Sequence, residues 1–361
     1  MDLLSSPLSE YERSLLEQAA RWPGFATHTE LTEAAIRQVT AHRGIDFATT
    51  LLYDRLTRSP VHGPFVKKIQ GLPASAPAVT PTTVLIVPGA FYRKSPHSGA
   101  DGRVIREEAE RLGHETELLP LTDFGQPRAN ARILRDWLER DGRKNIILVS
   151  MSKGGAEVRI ALDEPGAPET FRRVAFWINL SGLLHGSALV GWLFARRWRV
   201  LWFRLQFWLR GFEFSALPEL ARGPGTLLGA PLRLPEHLRT IHVVGFPLAR
   251  HLSTALARRC HRRVESLGPS DGAGLMLSDV NELPGLIFPI WGTDHYLRPG
   301  GKDMRVLMRQ VLHYVSLELN GTGEGGGTDR DSRDLRAFQL VRNERQQTAK
   351  DTLIDQPDEP E

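Results

Sequence analysis

Short apolar runs recur through the middle of this 361-residue chain and alternate with segments of helical periodicity. The first run, at 84–87, is followed directly by Pro88 and Gly89, and the segment DGRVIREEAERLGHE then has apolar residues at helical spacing. Runs that are apolar throughout are typical of strands buried on both faces, and strands that alternate with helices form parallel sheets. The pattern therefore predicts an α/β protein with a mostly parallel central sheet flanked by helices.

The same alternation predicts five further strands, in the segments TELLPL, NIILVS, RVAFWINLSG, TIHVVGFPL and GLIFPIWG. Helices are predicted between them, and a last helix in DMRVLMRQVLHYVSLEL. We assign this core to residues 76–320. The alternation fails at 183–236, which we interpret as a helical cap inserted into the core.

The two ends of the chain differ from this core. Residues 1–75 predict a helical N-terminal extension of three helices, the first beginning with a capping box between Ser9 and Glu12. A linker rich in proline, alanine and threonine follows. Residues 321–361 are glycine-rich and charged, which predicts a mostly disordered tail.

Charge and motifs exclude several classes of partner. The chain has 46 basic and 42 acidic residues, a net charge of +4, and no P-loop, RNP-like motif or zinc-type pair of cysteines. No pair of histidines has metal-ligand spacing with a second partner. We expect no nucleic acid, no metal and no cofactor. The oligomeric state stays open.

Localisation follows from two further observations. The single cysteine, Cys260, cannot form an internal disulfide, and the N-terminus lacks a basic region followed by an apolar one. We therefore expect a cytoplasmic protein.

The first candidate catalytic residue is a serine between a predicted strand and a predicted helix. Ser152 lies in Ser150-Met151-Ser152-Lys153-Gly154, which fits the small residues that a sharp nucleophile elbow requires, with serine in place of the usual first glycine. A glycine-rich turn that merely packs is the alternative interpretation.

An acid and a histidine follow in the order that such a nucleophile needs. Asp271 lies in a loop after TIHVVGF, and His295 lies directly after the last predicted strand. A histidine so placed can accept the serine proton while a carboxylate orients it. Asp279 and the neighbouring Asp294 are the alternative acids.

These segments resemble the α/β-hydrolase superfamily, in its lipase/esterase-like branch. VLIVPGAFY resembles the strand and oxyanion loop of that family, LVSMSKGG its elbow, INLSGLLHGSALV the segment after the next strand, SDGAGLMLSDVNELPG its acid loop and GTDHYLRP its terminal histidine motif. The resemblance implies the α/β-hydrolase fold, with Ser152 as the nucleophile, His295 as the general base and acid, and Asp271 as the orienting acid.

The resemblance also implies an oxyanion hole built from backbone N–H groups. Lys153 supplies one, and Ala90 or Phe91 supplies the other. The Lys153 side chain favours an acidic acyl group if it reaches the hole, and is otherwise a solvated side chain of the elbow helix.

The proposed cap contains the segment GWLFARRWRVLWFRLQFWLRG. On a helical wheel one half carries the arginines and the other half carries Trp198, Leu201, Trp202, Leu205 and Trp208. We expect a lid that lines the substrate pocket through Trp198, Trp202 and Leu205. The alternatives are peripheral membrane contact through 192–210, packing of the aromatic half on the body, and a dimer interface.

Together these features predict a serine hydrolase that cleaves small-molecule carboxylic esters with an apolar acyl or alcohol group through an acyl-enzyme. Acyl transfer to an alcohol or amine, and thioester hydrolysis, are open to the same triad. A non-catalytic binding protein on the same fold is the alternative of another class.

Overall fold

The computed structural model describes residues 8–73, 82–298 and 303–321. Before the sheet, the described chain forms four helices: α1 (Glu10–Arg21), α2 (Glu33–Arg43), α3 (Ile45–Arg58) and α4 (His62–Gly71). The capping box predicted at Ser9 and Glu12 is present. The sequence predicted only three helices, because Gly63 and Pro64 in the first turn of α4 masked its pattern.

All six predicted strands are found, and all pair in parallel. They lie in the order β2-β1-β3-β4-β5-β6, so the strand that leads to Ser152 is an interior one. The strands are β1 (Thr83–Val87), β2 (Glu115–Leu118), β3 (Ile146–Met151), β4 (Val174–Leu180), β5 (Arg239–Phe246) and β6 (Leu286–Trp291).

Helices connect the strands. The connecting helices of the core are α5 (Arg103–Arg111), α6 (Pro127–Arg140), α7 (Lys153–Asp163) and α8 (Ala167–Thr170). The inserted segment after β4 contains α9 (Ala188–Phe194), α10 (Arg197–Arg210) and α11 (Ala216–Glu219). Two more helices follow β5 and β6 respectively, α12 (Ala255–Val264) and α13 (Met304–Gly321).

The interior strands are buried on both faces, as their apolar runs require. Along β3, Ile146 and Leu148 belong to one apolar cluster, while Ile147 and Val149 belong to another on the opposite face. Side chains alternate between the faces of a strand, so a strand between two apolar layers must be apolar at every position. This burial holds the carboxyl ends of the strands in fixed positions, so the loops that leave them begin at fixed points.

The N-terminal helices pack against the last strand. Trp291 in β6 donates through its indole N–H to Glu12 of α1, with 3.1 Å between Nε1 and Oε1, and its ring lies 5.0 Å from that of Tyr53 in α3. Phe65 of α4 packs edge-on against Phe288 of β6. Most of the predicted linker and all but the first residue of the predicted tail lie outside the described residues.

Candidate active site

Ser152 occupies a strained turn between β3 and α7. Its φ is 50° and its ψ is −118°, a conformation that residues other than glycine rarely adopt. The turn is tight because a Cβ at Gly154 would lie 2.5 Å from the carbonyl oxygen of Val87, closer than any real Cβ contact. Only glycine fits there. The turn lifts the Ser152 hydroxyl away from the backbone at the end of β3.

Ser150 explains why serine is accepted where the elbow pattern usually has glycine. Its buried hydroxyl accepts from Trp177 Nε1 at 2.8 Å and donates to Asn179 Oδ1 at 3.0 Å. The Asn179 amide in turn donates to His242 Nδ1 at 3.1 Å, and His242 Nε2 donates to the carbonyl of Pro284. A polar chain thus crosses β3, β4 and β5 beneath the elbow.

Sequence reasoning missed this polar chain. The available signal was the pair of polar residues, Asn179 and His242, in strands that are otherwise apolar and buried. Buried polar groups that are fully paired hold neighbouring elements in one arrangement. The chain therefore fixes the backbone on which Ser152 stands.

Ser152, His295 and Asp271 form one hydrogen-bonded row. The distance from His295 Nε2 to Ser152 Oγ is 2.8 Å, and that from His295 Nδ1 to Asp271 Oδ2 is 2.5 Å. The other carboxylate oxygen of Asp271 accepts from the backbone N–H groups of Ala273 and Leu275. These bonds give His295 the tautomer that carries its proton on Nδ1, so Nε2 can accept the proton of Ser152.

The surroundings of His295 raise its pKa above the ordinary value of 6.5. Burial of the ring lowers the pKa, since it penalises the imidazolium. The charge of Asp271 and its hydrogen bond together outweigh that effect, and Asp294 adds to them. An imidazolium at this position is therefore stabilised.

The two alternative acids occupy other positions. Asp279 is buried and binds the guanidinium of Arg222 through both oxygens, with 2.6 Å from Arg222 Nη2 to Oδ1. Arg222 also binds Glu33 of α2, so this ion-pair group ties the N-terminal region to the acid loop. Asp294 accepts from the hydroxyl and N–H of Ser253 and from the N–H of Tyr296. Neither bonds to His295.

The hydrogen bonds of backbone N–H groups near Ser152 decide between the two candidates for the second oxyanion donor. Lys153 is the first residue of α7, and the N–H of such a residue has no acceptor within its own helix. The N–H of Phe91 donates instead to the carbonyl of Asp123 at 3.2 Å, which argues against Phe91 as the second donor. Ala90, which also lines the cavity in front of Ser152, keeps its N–H clear of protein acceptors in the described part of the chain.

The expectation of a solvated Lys153 side chain is wrong. The side chain is 2% exposed, and its ammonium pairs with Glu157 one turn further along α7. Glu157 also accepts from the amide of Asn130 at 2.7 Å, and burial raises the pKa of its carboxyl. The charge of Lys153 is thus matched inside the protein, and it does not favour an acidic acyl group.

A cavity of about 1000 Å³ lies in front of the row and is roofed by the inserted helices. Ser152 and His295 line it, whereas Asp271 lies behind the histidine and is fully buried. Of the three cap residues predicted to contact substrate, Trp198 and Trp202 line the cavity. Leu205 does not line it, although it lies on the same side of α10 and is less exposed than either tryptophan. The predicted substrate contact of Leu205 is therefore wrong.

Helix α10 exposes its most apolar side to solvent, the reverse of an ordinary surface helix. No residue of α10 is buried, and Leu201 and Trp208 are 67% and 75% exposed. The helix rests on the body through half-buried Phe203 and Phe207, and Arg199 lines the cavity. Packing of the predicted aromatic half on the body is thus excluded. None of the described helices is long and apolar enough to span a bilayer.

No protein-family model and no curated protein matches this sequence. Among solved structures, the chain is similar to the metagenomic carboxyl esterase MGS0156, with 18% identity and a TM-score of 0.53 over 81% of this chain and 92% of that one. It is also similar to the mature Bacillus licheniformis lipase BlEst2, with 19% identity and a TM-score of 0.44 over 69% of this chain and 99% of that one. With the parallel sheet described above, the first likeness confirms the α/β-hydrolase fold.

Proposed function

We propose that this chain, which has the α/β-hydrolase fold, is a serine hydrolase that cleaves carboxylic esters. One observation carries the proposal: the hydrogen-bonded row from Asp271 through His295 to Ser152 ends in a large cavity. The strained backbone of Ser152 supports it, since such strain persists where the surrounding structure enforces it, often at functional sites. That the solved structure of similar fold is a carboxyl esterase agrees with this class of reaction.

In acylation His295 is the only group of the row that takes up a proton. Ser152 Oγ attacks the ester carbonyl carbon while His295 Nε2 takes the hydroxyl proton. The negative oxygen that forms is held by the backbone N–H groups of Lys153 and Ala90. When the carbon–oxygen bond to the alcohol breaks, His295 gives its proton to the leaving oxygen, and the acyl group stays on Ser152.

Deacylation repeats these steps with water as the nucleophile. His295 Nε2 takes a proton from water as the water oxygen attacks the acyl carbon, and the same N–H groups hold the oxyanion. The bond to Ser152 Oγ then breaks and His295 returns the proton to the serine. Asp271 remains ionised and keeps the imidazole in its working orientation throughout.

The lining of the cavity indicates an apolar part in the substrate. Leu189, Val190, Leu193, Trp198 and Trp202 of the inserted segment face the same space as Ser152. Burial of one large apolar side chain is worth roughly 1.5–3 kcal/mol, and an acyl chain in this space gains in the same way. We expect esters with medium or long chains to be better substrates than acetates.

A covalent probe and an ester series test the proposal together. A fluorophosphonate should label the wild-type chain at Ser152 and leave Ser152→Ala unlabelled, and Ser152→Ala should lose turnover of p-nitrophenyl esters while keeping its thermal midpoint. Ser14→Ala, which removes an exposed hydroxyl from α1, is the control and should be labelled normally. If folded wild-type protein neither reacts nor turns over any ester, the binding-protein interpretation replaces this proposal. If acyl groups pass to added alcohol faster than to water, acyl transfer replaces hydrolysis.

We also infer that α10 makes peripheral contact with membranes. Six large apolar side chains on one side of this 14-residue helix are at least 46% exposed, and Arg197 and Arg204 flank them. A contiguous exposed apolar face bordered by arginines suits the interface of an anionic bilayer. Vesicles containing phosphatidylglycerol should sediment the protein, and Leu201→Ser with Trp208→Ser should release it. Equal sedimentation of that variant would contradict this inference.

A further inference from the structure

Three arginines and a tryptophan form a cluster on the cap side of the cavity. Arg199 comes from α10, and Arg259 and Arg263 come from successive turns of α12. The guanidinium carbons of Arg199 and Arg263 lie 4.0 Å and 4.1 Å from the centroid of the Trp192 ring. We call these four residues the arginine cluster. All of them line the same cavity as Ser152.

The cluster has no counter-charge of its own. Within residues 8–73, 82–298 and 303–321, none of its three arginines takes part in an ion pair. The Nε atom of Arg199 is buried without a hydrogen-bond partner, although its Nη1 donates to the carbonyl of Trp192. Burial lowers the pKa of Arg263, and the charges of Arg259 and Arg199 lower it further. Like charges held close together disfavour one another, and a bound anion relieves that repulsion.

Three other cations of the cavity wall have carboxylate partners. Lys153 is matched by Glu157, while Arg103 and Arg305 both lie within 4.0 Å of Glu107. Arg210 and Arg298 also line the cavity without an ion pair among the described residues, and each donates to a backbone carbonyl instead. The cluster differs from them in bringing three such arginines together on the cap side. It is also held in place, because two of its guanidinium groups stack on Trp192 and one bonds to the backbone.

We propose that the arginine cluster binds an anionic group, a phosphate or a carboxylate, of an amphiphilic ester whose acyl carbon reaches Ser152. Guanidinium groups present planar pairs of donors that match the oxygens of these anions. The apolar wall formed by Leu189, Val190 and Leu193 belongs to the same cavity and suits the chain that joins the two ends of such a substrate. This inference rests on the proposed function for the reaction, and on the cluster alone for the anion.

Direct binding tests the anion site separately from catalysis. We would titrate the Ser152→Ala protein with octyl phosphate and with octanol, following heat release and the fluorescence of the tryptophans. We expect octyl phosphate to bind at least about tenfold more tightly than octanol, because charge-assisted bonds are stronger than neutral ones. Inorganic phosphate should compete. Arg263→Gln should weaken octyl phosphate about tenfold, with Arg262→Gln, an exposed neighbour that does not line the cavity, as the matched control.

Kinetics then tests whether the anion belongs to the substrate. The active enzyme would be given p-nitrophenyl esters of equal chain length, one neutral and one with a terminal carboxylate. Arg263→Gln should raise KM for the anionic ester about tenfold more than for the neutral one, and Arg262→Gln should change neither. A phospholipid presented in vesicles would replace the soluble ester in a second series. Faster turnover of the vesicle substrate than of the soluble anionic ester identifies a lipid headgroup as the anion, and the reverse identifies a soluble acid.

The outcomes separate this proposal from the proposed function. If no ester is hydrolysed but octyl phosphate binds through Arg263, ester hydrolysis is wrong and the anion site stands. If esters are hydrolysed but octanol and octyl phosphate bind equally, or Arg263→Gln behaves like Arg262→Gln in both experiments, the anion site is wrong. Loss of binding together with a lowered thermal midpoint would be checked with Arg263→Lys, which keeps the charge and should restore at least part of the affinity.

Discussion

The elbow and helix α10 differ in which side chains they bury and which they expose. Beneath Ser152 the polar groups of Ser150, Trp177 and Asn179 are buried and paired with one another. On α10 large apolar side chains such as Leu201 and Trp208 stand in solvent. The polar groups of the first region are paired within the chain. The second region has an apolar surface that none of the described residues covers.

This contrast separates the fixed part of the molecule from its recognition surface. The hydrogen-bonded row of Ser152, His295 and Asp271 depends on distances near 3 Å, so its geometry benefits from strands held between two apolar layers. Helix α10, on the roof of the cavity, is attached to the body through half-buried Phe203 and Phe207, which suits the proposed entry of a substrate beneath it. Variants in the two regions should therefore differ in which property they change, activity and stability in one and recognition in the other.

The largest expected effect concerns the acid of the row. Asp271→Asn should lower kcat/KM by about 10³–10⁴, because the amide holds His295 in the wrong tautomer and supplies no charge. Asp279→Asn is the matched control: it should lower the thermal midpoint, because it weakens the buried ion pair with Arg222, while the folded enzyme keeps its activity. A loss of activity in Asp279→Asn comparable with that of Asp271→Asn would show that the site extends to the Arg222 group.

The next effect is a dependence on pH. Since Asp271 raises the pKa of His295 above 6.5, and only the neutral imidazole can accept the serine proton, activity should fall as the pH is lowered through that raised pKa. Below it, kcat/KM should fall about tenfold per pH unit. Trp202→Ala on α10 should leave the midpoint of this limb where it is. A midpoint below 6.5 in the wild type would contradict the assigned role of Asp271.

A smaller effect is expected beneath the elbow. Ser150→Ala leaves Trp177 Nε1 without its acceptor, and an unpaired buried donor costs about 1–3 kcal/mol of unfolding free energy. Chemical denaturation would measure this loss. Ser278→Ala is the control, because the Ser278 hydroxyl is buried without a partner and its removal should be nearly neutral. Equal losses in the two variants would mean that the polar chain does not hold the elbow.

The smallest effect on stability is expected on the outward side of α10. Leu201→Ser with Leu205→Ser should change the unfolding free energy by no more than about 0.5 kcal/mol, since exposed positions contribute little to packing. Phe203→Ala with Phe207→Ala should lower it clearly more, because these two rings attach the helix to the body. If the leucine variant unfolds as readily as the phenylalanine variant, the outward face has a partner within the chain.

The parallel sheet and the meeting of Ser152, Asp271 and His295 could be predicted from the sequence because both leave local marks. A strand covered on both faces is apolar at every position, as 146–149 is, and an elbow needs glycine at 154. Asp271 and His295 follow because each comes after a strand whose end meets the same edge of the sheet. The neighbouring sequence could not show which of Asp271, Asp279 and Asp294 bonds to His295. That depends on distant residues, since Arg222 and Ser253 bind the other two carboxylates.

The orientation of α10 could not be predicted for a related reason. A helical wheel shows that two halves differ, and the ordinary rule directs the apolar half inward. Here Phe203 and Phe207 attach the helix instead, and they lie among the arginines on the wheel. Which half meets the body depends on residues such as Phe124 and Phe212 that the helix itself does not contain. Helix α4 was missed for a simpler reason, the glycine and proline in its first turn.

The hydrogen bond between Glu12 and Trp291 has a consequence for folding during synthesis of the chain. Its two partners are 279 residues apart, and ribosomes add about 5–20 residues per second. Glu12 is therefore added to the chain roughly 14–56 s before Trp291. During that time the apolar sides of α1 and α3 have no β6 to cover them. The first quarter of the nascent chain therefore keeps part of its apolar surface in solvent until the last strand has been made.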